Sequence, residues 1–490
     1  MNPADYPVTK KNWEELSRTT WAFHPNTRQQ LADYPINDDG SAIKVFMYNA
    51  VGGSTIHWAA HVPRFHPSDF RVKTLDGVAD DWPISYWDLE PYYDQNDVMM
   101  GCSGIHGDPA NPERSPRQMP PLPLGPDGQR MAAAFDRLGW HWWPSDNHVN
   151  SQSYKGRDAC NNCGPNVWGC NRKAKASVDV TYLPEAIDYG AEVRAGSTVF
   201  DIATDTAGRA TGVRYYDTAG EAHFQAAKAV IVACNAVGTA RMLLHSASAS
   251  HPQGLANTSG LVGKNLMFHV YANAVGLFAE SAPTYKGAIA NIIMSQEFYE
   301  TDPARGFVRG YSLQMARSSG PATTAIANAS WGSAHHQNFA EHFGKSTNLG
   351  IIGEDLPVQS NRVTLEPQQC DRFGIPIPRV EYKLDGNSTR LLTHGVQQAK
   401  TALLEAGAQR VIEKPHSVNA GWHLMGTARM GDDPARSVVN AYGQAHDVDN
   451  LFVVDGSVFV TSAGVNPTPT IQALALRTAD FICNERTDLK

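Results

Sequence analysis

The stretch from Leu451 to Ile482, LFVVDGSVFVTSAGVNPTPTIQALALRTADFI, constrains the fold more than any other part of the chain. LFVV reads as a strand and Asp455-Gly456 as a turn. Ile471, Leu474, Ala475 and Phe481 then share one face of a helix that begins in the Pro-Thr-Pro-Thr run at Pro467. The same order of elements occurs much earlier. AKAVIVA (Ala227–Ala233) is a short, nearly continuous apolar run, as expected of a strand covered on both faces, and it leads through Asn235 and Gly238 into the helical TARMLLHSA. Just before it, AEVRAGSTVFDIAT and ATGVRYYDT show strand alternation.

Between these two regions the character changes. VYANAVGLFAE, FVRGYSLQMAR, NRVTLEP and PRVEYKL read as strands of a mostly antiparallel sheet over about residues 270–385. Leu392, Val396, Ala399 and Leu403 follow on one helical face, with Gly407 placed to end that helix. The fold class is therefore α/β (α+β) and discontinuous. A nucleotide-type domain spans residues 1–268, with a cap-like segment at about 85–150, and resumes at 416–490, while residues 269–415 form a substrate domain. The first 40 or so residues are polar and read as a surface segment wrapping something larger.

Composition excludes several classes. The chain has 490 residues, 42% hydrophobic and 18% charged, with a net charge of −8, which suits a large globular core and argues against nucleic acid as the partner. No apolar run approaches the ~18 residues of a membrane span, and MNPADYPVTKKNWEEL lacks the apolar stretch of a secretion signal, so the default compartment is the cytoplasm.

The residues that carry chemistry stand in five runs: GGSTIHW from Gly52, WPISYWDLEPYY from Trp82, KASVDVTYLPEA from Lys175, SGLVGKNLMFH from Ser259, and WHLMGTARMG (Trp422–Gly431) followed by NPTPT at Asn466. In this order they resemble the glucose-methanol-choline (GMC) oxidoreductases. The resemblance implies an FAD-dependent enzyme oxidising a CH–OH group of a sugar, sugar acid, polyol or other alcohol. A quinone, a partner subunit or oxygen would reoxidise the flavin. The cysteine-bearing segment resembles bacterial sugar and gluconate dehydrogenases, which favours a dehydrogenase over an oxidase.

Chemistry agrees with the likeness. Removing hydride from an alcohol requires a base for the hydroxyl proton, a group fixing the oxygen and an acceptor beside the carbon. A neutral imidazole suits the first task, and the resemblance assigns it to His423, with Asn466 holding the oxygen. The helix start at Pro467 and Thr468 is expected to turn its partial positive charge toward the flavin pyrimidine. Asp455 and Gly456 match positions at the flavin ribityl and pyrophosphate. Gly52, Gly53 and Ser54 match a second flavin loop, and Val199 an adenine-pocket backbone contact. His57-Trp58 extends the loop toward the GG-x-S-T-H-W run of pyranose oxidases, which implies either covalent attachment of FAD at His57 or a noncovalent flavin neighbour there.

Three features stay open at this level. Cys160, Cys163 and Cys170 are read as plain thiols, a disulfide pair or a three-cysteine cluster site, and no metal is assigned. WHWWP (Trp140–Pro144) is read as core packing rather than a sugar-stacking platform. No G-x-G-x-x-G occurs, and GCSGIHG at Gly101 has the wrong spacing, so the first βαβ unit expected of the family, roughly 35 residues, is not in the chain. A misplaced or truncated start, a separate chain, or a noncatalytic remnant or partner subunit are the alternatives this leaves.

Overall fold

The computed structural model describes residues 34–489, apart from 165, 283–284, 289–291, 319 and 322–323. The reading of the first 40 residues as a surface segment therefore lies almost wholly outside the described residues.

The cap-like segment contributes α1 (Tyr86–Met100) and α2 (Gly125–Leu138). Ser85 caps α1 in a reciprocal box with Asp88, its backbone N–H and hydroxyl both donating to that carboxylate at 2.8 Å. The strand β1 (Trp143–Pro144) follows, and Trp140 and Trp142 pack partly buried against the core around Phe135. Core packing is therefore what Trp140 and Trp142 do, while Trp143 donates its indole N–H to Ile105 O at 3.1 Å.

An antiparallel sheet follows, of β2 (Thr198–Thr204), β3 (Ala210–Tyr216) and β4 (Ala222–Ala226). Next come β5 (Val230–Val232) and the helix α3 (Asn235–His245). The six-stranded sheet that follows runs β1-β7-β8-β9-β6-β12, entirely antiparallel, with β6 (Val270–Leu277), β7 (Ile293–Ser295), β8 (Tyr311–Ala316), β9 (Ser346–Gly353) and β12 (Arg410–Lys414). Beside it lie the hairpin of β10 (Arg362–Cys370) with β11 (Pro376–Glu381) and the helix α4 (Gly386–Glu405). The chain closes with β13 (Leu451–Val453) and α5 (Thr468–Glu485).

Two sheet arrangements position the site. First, β13 pairs in parallel with β5, Leu451 opposite Val230 and Val453 opposite Val232, so the late strand–helix unit lies beside the early one. α1 packs along α5 through Tyr93 Oη to Thr470 Oγ1 at 2.7 Å and Asn96 Nδ2 to Gln472 Oε1 at 2.8 Å. Second, the large sheet has two faces of different chemistry. Alternation along each strand sends Ala272, Leu313, Leu349 and Ile351 to one side, where they pack with Leu391, Leu392, Val396 and Leu403 of α4. Each such buried leucine, isoleucine or valine is worth about 1.5–3 kcal/mol. The opposite face carries Tyr271, Gln314, Asn348 and Ile352, brought into line by the pairs Tyr271–Ile352 and Gln314–Gly350. A Cβ at Gly350 would lie 2.7 Å from Tyr271 Oη, so glycine there makes room for the tyrosine ring.

Several elements differ from their sequence reading. NRVTLEP and PRVEYKL pair with each other in a separate two-stranded hairpin, not in the main sheet. STNLGIIG, which supplies the central strand β9, was not read as a strand; its two glycines and polar start weaken the pattern. The strand at AEVRAGSTVFDIAT begins only at Thr198. β5 is covered on one face: Val230 and Val232 are buried but Ile231 is 54% exposed, because among the described residues the element packed on β5 is on the Val230 and Val232 side.

Candidate active site

One cavity of about 1400 Å³ collects the residues that the resemblance assigns to catalysis and cofactor binding: Gly52, Gly53, Ser54, His57, Trp58, Val199, His423, Asp455, Gly456, Asn466, Pro467 and Thr468. These positions come from five separate stretches of chain, and their convergence is a property of the tertiary structure alone.

The loop at Gly52 owes its shape to two left-handed glycines, φ +92° at Gly52 and +57° at Gly53, which lets a short turn of 3₁₀ helix (Gly53–Ile56) start at once. Thr55 Oγ1 donates to Gly52 O at 2.6 Å and Ser54 Oγ accepts from the Tyr48 N–H at 3.2 Å. Lys175, fully buried, donates to the carbonyls of Ile56 at 2.5 Å and Trp58 at 3.3 Å; burial lowers its pKa to about 8. His57 Nδ1 donates to Val167 O at 2.9 Å, and its ring stands edge-on to Tyr48. Val199, on the exposed side of β2, lines the same cavity.

The late segment is built around the turn after β13. Asp455 accepts from the Ser457 N–H at 2.8 Å and from Thr239 Oγ1 at 2.5 Å, which joins it to α3. Gly456 lets this turn approach the His423 segment: a Cβ there would lie 2.5 Å from Leu424 O, and the Gly426 N–H donates to Gly456 O at 3.0 Å. α5 starts at Thr468 with Pro469 in its first turn and no side-chain cap, so its first N–H groups open where Pro467 and Thr468 line the cavity.

Five histidine and amide contacts define the chemistry. Asn466 Oδ1 accepts from His61 Nδ1 at 3.0 Å and from Gln314 Nε2 at 3.0 Å. Two donors on the oxygen fix the amide so that its Nδ2 is the group left to donate to a ligand. His423 lines the cavity, and its Nδ1 lies 2.7 Å from His269 Nδ1, which leaves Nε2 as the ring nitrogen outside this contact. His269 Nε2 donates to Ala463 O at 2.9 Å and Ser462 O at 3.1 Å. Burial pushes His61 and His269 down to about 4, opposed by these hydrogen bonds. His423 is driven well below its usual range, by burial first and then by His269 and His61. All three rings are thus neutral near pH 7.

His61, His269, Gln314 and Lys175 carry weight in this site but were not assigned a role from sequence. His269 closes the run SGLVGKNLMFH and Lys175 opens KASVDVTYLPEA, while His61 stands three residues beyond GGSTIHW, so the signal there to be read was a histidine in or beside a run already singled out. The three clustered cysteines lie apart: they do not line the cavity and stand as free thiols, Cys163 exposed and the others half-buried. Among the described residues, the group of three ligand-type side chains whose donor atoms all lie within 4.8 Å of one another is Asp97, Cys102 and His148. There Asp97 already accepts from Arg64 at 2.6 Å, His148 at 2.9 Å and Arg117 at 3.4 Å, which accounts for its charge without a metal ion.

The donor set suits a large anionic cofactor. The cavity exceeds the ~300–1,000 Å³ usual for a small-ligand pocket, it is entered by an uncapped helix N-terminus, and a glycine loop with open space at Gly53 borders it. Among the described residues, no helix is long and apolar enough to cross a membrane.

Profiles of the GMC oxidoreductase family match residues 118–271 and 357–475. The chain is 42% identical to a 2-methyl-1,2-propanediol dehydrogenase of Mycolicibacterium austroafricanum, over all of this chain and 90% of the relative. It is 30% identical to the fructose dehydrogenase large subunit of Gluconobacter japonicus, over 95% of this chain and 86% of the relative. Its fold matches that of an FAD-dependent oxidoreductase from Chaetomium thermophilum with a TM-score of 0.62 at 15% identity, covering 91% of this chain and 88% of the other. The chain belongs to the GMC oxidoreductase family.

Proposed function

We propose that the protein is an FAD-dependent dehydrogenase that oxidises a CH–OH group of a polyol, diol or sugar-type alcohol. The observation that carries the reading is the pairing of a neutral His423, its Nε2 outside the contact with His269, with an Asn466 amide whose Nδ2 is turned outward by Gln314 and His61. Asn466 Nδ2 donates to the alcohol oxygen and holds it. His423 Nε2 takes the hydroxyl proton, a task that suits a buried neutral imidazole. The flavin, when bound, supplies the acceptor for the hydride leaving the carbon.

In this reading residues 1–268 and 416–490 hold the cofactor: Gly52, Gly53 and Ser54 by backbone, Asp455 and Gly456 at the ribityl and pyrophosphate, Val199 at the adenine, and the Pro467–Thr468 helix start at the pyrimidine. His57 is the attachment point, through Nε2, because Nδ1 is engaged by Val167 O. Residues 269–415 hold the substrate on the face of the large sheet that carries Tyr271, Gln314 and Asn348. The name of the diol-oxidising relative supports a small vicinal diol among the substrates, and the large-subunit name of the fructose-oxidising one supports electron transfer to a partner subunit or quinone.

The test is anaerobic titration of the FAD-loaded protein with 2-methyl-1,2-propanediol, fructose and gluconate. Bleaching of the flavin by one of them, with turnover on a dye acceptor exceeding turnover on oxygen, is the expected result. A flavin that none of these alcohols reduces would overturn it.

A further inference from the structure

We infer that His269 is a positioning residue that fixes the tautomer of His423 and thereby keeps a lone pair on His423 Nε2. This rests on the proposed role of His423 as the base.

The geometry begins in the backbone. Met267 and Met425 form an antiparallel bridge, their N–H and C=O groups exchanging hydrogen bonds of 2.9 and 3.1 Å. Two residues onward from Met267 and two back from Met425, His269 and His423 are brought next to each other by this isolated bridge. Their rings meet edge-on, 88° between planes and 4.7 Å between centroids.

Hydrogen-bond logic then assigns every proton. The groups facing His269 Nε2 are the carbonyls of Ser462 and Ala463, which only accept, so Nε2 carries the ring proton. Ala463 holds a left-handed backbone, φ +55°, in the turn that presents them. His269 is only 1% exposed, has no carboxylate among its hydrogen-bond partners, and stays neutral. Its Nδ1 is consequently an acceptor. At 2.7 Å from it, His423 Nδ1 must donate, because the other tautomer would set two lone pairs against each other. The single proton of neutral His423 is then spent on Nδ1, and Nε2 is left basic. When Nε2 gains a proton, the Nδ1–H bond to His269 persists and strengthens, since a charged donor makes the stronger bond.

The surrounding shell holds this arrangement. The Phe268 N–H donates to Asp355 Oδ2 at 3.0 Å, and the Asp355 N–H donates to Ser462 Oγ at 2.8 Å. The residue before His269 and one of its carbonyl partners are thereby tied to the same carboxylate-bearing residue.

Four variants of the full-length, FAD-loaded protein separate the possibilities: H423A, H269L, H269N and H269Q. The asparagine amide oxygen can replace Nδ1 as acceptor. The glutamine amide reaches the Ser462 and Ala463 carbonyls and offers nothing at Nδ1. Expected are a 10²–10⁴-fold loss of kcat/KM in H423A, about 100-fold in H269L and H269Q, and a loss of about threefold or less in H269N. Wild-type rate in H269Q with a large loss in H269N would overturn the inference and make His269 a tether for the 462–463 turn. Wild-type rate in H269L would overturn it outright. A second readout does not depend on turnover: in protein labelled with ¹⁵N-histidine, His423 is expected to carry its proton on Nδ1, and H269L to give a mixture of tautomers. An Nε2–H form of His423 in the wild type would overturn the inference. Should H423A keep full activity, the base reading falls, and the ¹⁵N spectra still decide the tautomer.

Discussion

Gln314 Nε2 donates to Asn466 Oδ1 over 3.0 Å, joining a strand of the six-stranded sheet to the segment that opens the last helix. The two residues are 152 positions apart in the chain. With His61 Nδ1 as second donor, the amide has one orientation left, and the sheet that faces the ligand also sets the group that would grip it.

Gln314→Leu removes one of the two donors that hold this amide and leaves only His61. We expect kcat/KM for the alcohol to fall about tenfold, the worth of one buried hydrogen bond near the reacting group. Steady-state assays with a dye acceptor check this; a variant within twofold of wild type would discard the orientation argument.

The pH profile follows from His423. As the proposed base His423 acts unprotonated, and burial holds its ring well below the usual 6.5. Activity is therefore retained as pH falls through 6.5 and is lost only at distinctly lower pH. We expect kcat/KM to stay flat from pH 8 to 6.5, since this ratio reports the free enzyme. An acid limb centred at or above 6.5 would contradict the burial of the ring.

Asp355 gives a stability test of opposite sign. Burial raises its carboxyl to about 7, against hydrogen bonds from the Phe268 N–H and Tyr382 Oη. The folded state then holds a proton that the unfolded chain releases above its ordinary value of 3.8, so this contribution is full below 3.8 and fades as pH rises through 7. Asn at 355 removes the titration. From pH 5 to pH 8, wild type should lose about 2–3 kcal/mol relative to D355N, read from urea midpoints at the two pH values; equal slopes would refute it.

Arg309 is 1% exposed and reaches Asp69 at 2.6 Å, Glu354 at 2.8 Å and Asp76 at 3.0 Å. Arg309→Leu leaves those carboxylates buried without their cation, and we expect a loss of about 3–5 kcal/mol. Thermal unfolding of the variant checks it, and an unchanged midpoint would show that the acids had simply protonated.

His57 is tested by acid precipitation of the FAD-loaded protein. Yellow colour should remain with the wild-type pellet and move to the supernatant in His57→Ala. Release from wild type would remove the covalent bond and leave the dehydrogenase reading standing.

Much of the architecture was legible because it depends on local physics. Ser85 with Asp88 caps α1, Gly407 follows the end of α4, and the apolar spacing of Leu392, Val396, Ala399 and Leu403 marks the face that packs on the sheet. These signals sit within a few residues of one another, so a linear reading reaches them. Where local signals were weak, reading failed: the glycines of β9 hid a central strand, and the apolar run of β5 concealed that Ile231 faces outward.

The sequence by itself determined which residues could do the chemistry. His423, Asn466, the glycines at 52–53 and the turn at Asp455 stand in runs whose residue types leave few other uses. Tertiary structure alone decided what those residues are able to do. Whether an imidazole is a base depends on which nitrogen carries its proton, and that is set by His269, 154 positions away. Whether an amide donates or accepts depends on Gln314 and on His61, the latter 405 positions away. Hydrogen-bond partners at such separations leave no periodicity in the chain, and they acquire meaning only when burial removes the water that would otherwise compete for the same atoms.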